Sequence, residues 1–222
     1  MAPVPFEAQM NGDGQRTCGA AALNMIYKSM GIVIPQQAVW RVISLPDAQT
    51  GRFARTYRLA FDAILRGVHA IAFKALDPIQ AVQTVLAAGS SVIMNHRLQE
   101  DTGDGHFTVA LSANDNSIEF HDPQFGPSQK RSTVLMRSLW QPKFDNCEIS
   151  GNFLIALAPI GVPHKCSACG VSSPDSVTCP ACNVSFALQP ASALGCVNTM
   201  CARRLWEAVL CPYCDAVFPL GA

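Results

Sequence analysis

The sequence predicts an α+β domain followed by a small domain that metal ions stabilise. Helix signals come first along the chain and strand signals joined by short turns follow, which is the order expected of an α+β fold. Eight of the ten cysteines then fall between Cys166 and Cys214, mostly in Cys-x-x-Cys pairs. The composition becomes rich in cysteine, proline and small residues near residue 162. We therefore predict two domains, residues 1–162 and 163–222.

The first domain is predicted to pack helices on an antiparallel sheet. Gly31 ends the first helix, Pro35 begins the second, and Asp77-Pro78 gives the fourth its N-cap and first turn. The predicted helices cover residues 18–30, 35–45, 56–66 and 78–89. The predicted strands cover residues 68–73, 91–96, 106–112, 117–121 and 153–158.

Cys18 is a candidate nucleophile because it stands where a polar, glycine-rich loop turns into the first helix. The segment from residue 15 reads Gln-Arg-Thr-Cys-Gly-Ala-Ala-Ala-Leu. At a helix N-terminus, unpaired amides and the helix dipole stabilise a thiolate, which is the form of cysteine that attacks a carbonyl. The position therefore predicts a reactive thiol.

His106 and Asp122 are candidate partners of that thiol. His106 begins one predicted strand and Asp122 ends the next, and the turn Asn-Asp-Asn at 114–116 joins the two strands. If these strands pair, the two residues lie at the same edge of the sheet. His106 would then act as the base, and Asp122 would orient its imidazole.

These motifs resemble the bacteriocin-leader (double-glycine) peptidases of the papain-like superfamily. The resemblance covers roughly residues 3–158 and is carried by four segments: Val-Pro-Phe-Glu-Ala-Gln at 4–9 with Thr-Cys-Gly-Ala-Ala-Ala-Leu at 17–23, Gly-His-Phe-Thr-Val at 105–109, His-Asp-Pro-Gln-Phe-Gly at 121–126, and Leu-Trp at 139–140 before Phe-Leu-Ile-Ala at 153–156. It implies a papain-like fold and a cysteine peptidase, with Cys18 as nucleophile, His106 as base and Asp122 as orienting residue. The Cys18 amide can donate one hydrogen bond to the oxyanion, and in papain-like folds an upstream Gln side chain donates a second. Gln9 and Gln15 are both candidates for that role, and Gln9 is preferred. Double-glycine cleavage sites would imply small residues beside the scissile bond.

The eight C-terminal cysteines predict two structural zinc ions, each held by four thiolates, in an arrangement that resembles a double zinc ribbon. Three of the four cysteines in each half of the region recur at an offset of 32 residues, which identifies an internal repeat. The repeat favours grouping in sequence order: Cys166, Cys169, Cys179 and Cys182 at one ion, and Cys196, Cys201, Cys211 and Cys214 at the other. Four thiolates leave no open position for substrate, so neither ion is expected to take part in catalysis.

The composition limits the partners of this protein. Net charge is zero, which removes the general attraction to nucleic acid, and no apolar run has the length of a membrane span. Paired cysteines without an export signal predict a cytoplasmic protein. The apolar residues of the tail fit either a protein-binding surface or packing on the first domain; they are Leu205, Trp206, Val209 and Phe218.

The prediction is a cysteine peptidase that acts on a peptide or protein, with a zinc-ribbon tail that recruits a partner or the substrate. Two alternatives stay open. The same three residues serve amidases, isopeptidases and acyltransferases on this scaffold, and a peptidase-like fold can also bind peptides without cleaving them.

Overall fold

The computed structural model describes residues 2–12, 15–47, 51–145 and 147–220. Its helices are α1 Cys18–Ser29, α2 Gln36–Ile43, α3 Thr56–Leu65, α4 Pro78–Ala87 and α5 Thr133–Leu139, with a 3-10 helix at Ala191–Leu194. Its strands are β1 Asn11–Gly12, β2 Gln15–Arg16, β3 Ser44–Asp47, β4 Gly51–Ala54, β5 His69–Ala75, β6 Ser91–Arg97, β7 Gly105–Ala113, β8 Ser117–Asp122, β9 Gly126–Ser132, β10 Phe153–Ala158, β11 Ser176–Thr178, β12 Ser185–Ala187, β13 Trp206–Leu210 and β14 Val217–Phe218. None of the helices in this described part of the chain is long and apolar enough to cross a membrane.

Eight of the strands form one antiparallel sheet in the order β14-β13-β5-β10-β6-β7-β8-β9. The α+β fold predicted from the sequence is confirmed, and all five predicted strands lie in this sheet. The sheet extends past residue 162, because β13 pairs with β5 through Leu210 opposite Ala72 and Val209 opposite Phe73. The domain boundary itself stays a prediction, but the two parts of the chain share one sheet.

Helices cover both faces of the sheet, so two separate apolar cores form. On one face, α1, α2 and α3 pack over side chains such as Ile93, Val109 and Ile155. On the other face, α4, α5 and the C-terminal region pack over side chains such as Phe73 and Met94. This second core explains why the tail is held against the sheet.

The apolar tail residues that could have formed a protein-binding surface are buried instead. Leu205, Trp206, Val209 and Phe218 are each at most 9% exposed and belong to the second core. The alternative that they pack on the first domain is therefore correct.

The helix boundaries follow local signals where such signals exist. Asp77 caps α4, since its Oδ1 accepts hydrogen bonds from the amides of Ile79 and Gln80 at 2.9 and 3.2 Å. The second helix ends at Ile43, two residues before the predicted end, because Ser44 turns into the short hairpin β3–β4. Several elements were not predicted, among them the helix α5 and three strands of the central sheet, β9, β13 and β14. The sequence of β9, Gly-Pro-Ser-Gln-Lys-Arg-Ser, is polar on both faces, as suits the last strand of a sheet.

Candidate active site and metal-binding clusters

Cys18 is the first residue of α1 and is buried, with 4% of its surface exposed. The carbonyl of the preceding residue, Thr17, accepts hydrogen bonds from the amides of Ala20 and Ala21 at 3.0 and 3.1 Å. These bonds form the first turn of the helix. The amides of Gly19 and Phe107 donate hydrogen bonds to the Cys18 sulfur. The thiol therefore lies at the start of the first helix, the position predicted from the sequence, and backbone donors there favour its anion.

His106 and Asp122 meet as expected from the pairing of β7 with β8. The His106 Nε2 and the Asp122 Oδ1 are 2.8 Å apart, and both side chains are almost fully buried. The same Oδ1 accepts the amides of Gln124 and Phe125 at 2.9 and 3.1 Å, so a tight turn holds the carboxylate in place. The second oxygen, Oδ2, is buried and has no hydrogen-bond partner among the described residues.

The Cys18 thiol is hydrogen-bonded to the His106 ring. Since Nε2 faces Asp122, Nδ1 is the ring nitrogen left for the sulfur. Burial alone would raise the pKa of Cys18, but the charge and hydrogen bond of His106 lower that pKa below its ordinary value. Burial would likewise lower the pKa of His106, yet the charge of Cys18 and the bond to Asp122 raise it to about 9. Both shifts favour a thiolate beside an imidazolium.

A second histidine, His96, lies directly across from His106 on β6, with ring centroids 5.8 Å apart. Its Nδ1 lies 2.7 Å from the carbonyl oxygen of Arg97, so Nδ1 carries the proton, and its Nε2 accepts from the Thr108 hydroxyl at 3.0 Å. Burial and the charge of His106 lower the pKa of His96 to about 3. His96 is therefore neutral, and it supports the His106 ring without competing for charge. No motif surrounds His96, so sequence reasoning missed it.

Arg97 fixes the loop that leads into His106. The guanidinium is buried, with the residue 1% exposed, and its side-chain nitrogens donate to five backbone carbonyls. Those carbonyls belong to Gln99, Glu100, Thr102, Ser138 and Gln141. The loop before β7 and the end of α5 are thus tied to one cation, and no local sequence signal predicts this arrangement.

Gln9 lies beside the Asp122 turn, because its amide donates to the carbonyl of Pro123 at 2.9 Å. The segment that contains Gln9 is held by Gln36, a buried residue of α2 that sequence reasoning also missed. The Gln36 amide bonds the backbone of Ala8 and Met10 at 3.0 and 2.9 Å. The oxyanion role of Gln9 stays a prediction, and the side chain of its alternative, Gln15, lies outside what the structure describes.

A cleft of about 210 Å³ opens beside the Cys18 sulfur. Several parts of the chain line it. Its floor comes from the sheet, with Asn95, Phe107 and Phe153, and one side comes from residues 53–56. The opposite end comes from the C-terminal region and comprises Leu210, Asp215 and Val217. The remaining lining residues are Arg16, Gly105, Glu148 and Ser150.

The eight cysteines form two clusters of four, but the grouping in sequence order is wrong. One cluster contains Cys166, Cys169, Cys196 and Cys201, and the other contains Cys179, Cys182, Cys211 and Cys214. Each cluster therefore takes one cysteine pair from each copy of the repeat. The reason is geometric: within one copy a strand, β11 or β13, separates the two pairs by about 10 to 16 Å. Because the copies lie side by side, equivalent pairs meet.

The spacing of the sulfurs fits a tetrahedral metal ion. Four thiolates at about 2.3 Å from one ion have S···S edges of about 3.8 Å. The sulfurs of Cys166 and Cys201 are 3.8 Å apart, and those of Cys169 and Cys196 are 3.5 Å apart. In the other cluster the corresponding separations are 3.6 and 3.8 Å. Two four-cysteine clusters can thus each hold a metal ion.

No protein-family model and no curated protein matches this sequence. Solved structures match the fold. A putative C39-like peptidase from Bacillus anthracis aligns with a TM-score of 0.54 at 16% identity, over 70% of this chain and 94% of that one. The peptidase domain of Streptococcus ComA, a bifunctional ABC transporter of a quorum-sensing pathway, aligns with a TM-score of 0.50 at 17% identity, over 70% of this chain and all (100%) of that one. A double-glycine motif protease from an AMS/PCAT transporter, in complex with the leader peptide, aligns with a TM-score of 0.47 at 19% identity, over 70% and 92%.

The fold is therefore that of a papain-like cysteine peptidase. More narrowly, it is the fold of the C39-like peptidase domains, which agrees with the resemblance in the sequence motifs.

Proposed function

We propose that this protein is a cysteine peptidase that cleaves a peptide or protein substrate through Cys18, His106 and Asp122. The observation that carries the proposal is the continuous hydrogen-bonded chain from the Cys18 thiol through the His106 ring to the Asp122 carboxylate at the end of an open cleft. A structural cysteine or histidine has no need of opposed pKa shifts, whereas a nucleophile and its base do.

The proposed reaction has two steps. The Cys18 thiolate attacks the carbonyl carbon of the scissile peptide bond. The resulting oxyanion accepts hydrogen bonds from the Cys18 amide and, by our proposal, from the Gln9 side chain. The His106 imidazolium gives its proton to the leaving amine as the C–N bond breaks, which leaves a thioester on Cys18. Neutral His106 then takes a proton from water, which attacks the thioester and releases the carboxylic acid and the thiolate. Asp122 keeps Nε2 protonated throughout.

The two cysteine clusters are proposed to hold structural Zn²⁺ ions. Sulfur separations near 3.8 Å suit one tetrahedral ion per cluster, whereas an iron–sulfur cluster would spread its cysteines farther apart. The Trp206 indole donates to the carbonyl of Cys196 at 2.7 Å, which links the first cluster to the second core. Zinc would thereby hold the tail in place without entering the reaction.

The proposed role of the zinc-ribbon tail is to recruit the substrate or a protein partner. The tail reaches the cleft, which supports a part in substrate binding. A protein partner would use exposed apolar residues such as Met200, which is 90% exposed.

Labelling with iodoacetamide tests the thiol site. Cys18 should react many times faster than Cys147 near neutral pH, and His106→Ala should abolish the difference. Cys147 is an internal comparison, since its sulfur lies 3.5 Å from the carbonyl oxygen of Gly103 and has no histidine partner among the described residues. Equal labelling of the two cysteines would reject a catalytic role and leave a peptide-binding scaffold.

A peptide library then separates hydrolysis from transfer. Incubation with and without added amine acceptors, followed by mass spectrometry, should give free carboxyl termini after small residues, with cleavage absent in Cys18→Ala. Products that form only when an amine acceptor is present would assign an acyltransferase instead.

Paired cysteine substitutions test the metal assignment. Cys169→Ser with Cys201→Ser removes two ligands of one cluster, so native mass spectrometry should find one zinc ion left. Cys169→Ser with Cys182→Ser removes one ligand from each cluster and should reduce the affinity at both. If instead the Cys169→Ser, Cys182→Ser variant lost one ion completely and kept the other, the grouping in sequence order would be right. A metal other than zinc in the wild-type protein would overturn the assignment of zinc.

A further inference from the structure

We propose that the metal-held tail forms the specificity-determining wall of the cleft and selects an uncharged, apolar side chain of the substrate, chiefly through Val217. This inference rests on the proposed peptidase function and adds a substrate preference to it. Three observations carry it: the position of the tail residues, the character of the cleft floor, and the pairing of the charges in the lining.

The tail reaches the cleft because β13 joins the central sheet. Leu210 pairs with Ala72 and lies on the face that carries α1. The chain then passes through the pair Cys211–Cys214 and returns as β14, which presents Val217 to the same cleft. Val217 is 50% exposed on β14, the strand at that edge of the sheet. A substrate side chain placed there would cover it.

The cleft floor offers one hydrogen-bonding group in an apolar row. Phe107 pairs with Asn95 across β7 and β6, and Phe153 lies on the other side of Asn95 in the neighbouring strand β10. Asn95 is only 7% exposed and lines the cleft, so its carboxamide is placed to meet a bound peptide. The backbone of a bound peptide carries both the donor and the acceptor that this carboxamide needs.

The charged groups of the lining are paired with one another. Arg16 bonds Glu148 at 2.6 Å and Asp104 at 3.2 Å. Arg55 faces Asp215 at 4.0 Å, across the gap between the first domain and the tail. A charged substrate side chain would therefore lose water without gaining a free counter-charge, which is costly in a half-buried site. An apolar side chain meets no such cost.

The second cysteine cluster sets the position of this wall. Asp215 and Val217 are the first and third residues after Cys214, and the amide of Cys211 donates a hydrogen bond to the carbonyl of Ala216 at 2.8 Å, which closes the turn. Asp215 has a left-handed backbone with φ of 66°, which turns the chain from Cys214 back toward β14. A metal ion bound by Cys211 and Cys214 would hold that shape.

The internal repeat provides a matched control for the test. Ser185 occupies in the first copy the position of Val217 in the second, 32 residues later, and it lies outside the cleft lining. Val217→Glu places a charge on the proposed wall, and Ser185→Glu places the same charge on the equivalent strand away from the cleft. Both proteins are first shown to bind two metal ions per chain and to melt cooperatively.

The probes are alanine-based peptidyl chloromethyl ketones that end in Gly-Gly and carry either Leu or Glu at one upstream position. Inactivation rate constants are divided by the iodoacetamide rate of the same protein, so that each ratio reports peptide recognition. We expect the wild type and Ser185→Glu to prefer Leu over Glu by roughly tenfold or more at one position. In Val217→Glu that preference should fall to about twofold or less.

The two levels of the argument fail separately. If wild-type Cys18 reacts with the peptidyl probes no faster than Cys147 does, the peptidase proposal fails and the inference falls with it. If Cys18 reacts rapidly but the wild type shows no preference for Leu, or Val217→Glu keeps the full preference while binding two ions, the tail does not select the substrate.

Discussion

Asp122→Asn should shift the reactivity of Cys18 toward higher pH. The substitution removes the negative charge but keeps an oxygen that can accept the amides of Gln124 and Phe125, so the turn should survive. It removes one of the two negative charges that stabilise the His106 imidazolium and leaves only the Cys18 thiolate. A hydrogen bond to a charged group contributes about 1.5–3 kcal/mol, which is equivalent to roughly one to two pKa units.

The pKa directions determine the sign of this effect. In the wild type the pKa of Cys18 is lowered and that of His106 is raised to about 9, so the ion pair exists between those two values. Without the carboxylate the pKa of His106 falls and that of Cys18 rises. The iodoacetamide rate should therefore drop about 10- to 100-fold below about pH 7 and approach the wild-type rate above about pH 9.5, where the thiol ionises without help.

The measurement is the rate of Cys18 alkylation from about pH 5 to about pH 10, with the site mapped by mass spectrometry. Asp101→Asn makes the same chemical change at an exposed position in the loop before β7 and should leave the profile unchanged. If Asp122→Asn reacts like the wild type below pH 7 and melts at the same temperature, Asp122 does not stabilise the imidazolium and the triad argument is wrong.

Three further predictions concern stability. A Cβ at Gly195 would clash with the carbonyl oxygen of Arg203, so Gly195→Ala should destabilise the protein by at least ~3 kcal/mol and weaken metal binding. Gly170 also has a positive φ, but its Cβ would meet only the end of the Lys165 side chain, so Gly170→Ala should cost only ~1–2 kcal/mol in the same thermal melts. Arg97→Lys should lower stability by ~3 kcal/mol or more and speed hydrogen exchange in the loop before His106, because one ammonium cannot serve five carbonyls; an unchanged melting curve would contradict this. Complete chelation of the metal should expose the tail to proteolysis before α1, and a tail that keeps its circular dichroism and protease resistance would show that metal does not hold it.

The local elements of the fold could be read from the sequence because their signals are local. The cap at Asp77 and the alternation of apolar residues in β7 and β8 depend only on neighbouring residues. The meeting of His106 with Asp122 followed from the pairing of two consecutive strands joined by a short turn. Each of these inferences needed contacts over at most sixteen residues.

Other features depend on distant parts of the chain and leave no local signal. The eight cysteines singled out in the sequence do form two clusters, but the predicted grouping was wrong. Two copies that lie side by side have the same cysteine spacing in the sequence as two independent ribbons. The roles of His96 and Arg97 arise only when β6 is placed beside β7 and α5. Likewise, nothing in the sequence around Val217 indicates a cleft 199 residues away in the chain, at Cys18.

The pairing of β13 with β5 also bears on the solubility of shortened forms of the protein. The inner strand β5 reads His-Ala-Ile-Ala-Phe-Lys-Ala, with few charges and no proline. Cutting the chain at residue 162 would remove β13 and leave one whole side of β5 with free amides and carbonyls, next to apolar residues that the tail had covered. An apolar, unpaired strand of this kind is a template for association with other chains. The position where the composition changes is thus a poor place to divide the protein, because the isolated N-terminal part would carry an aggregation-prone edge.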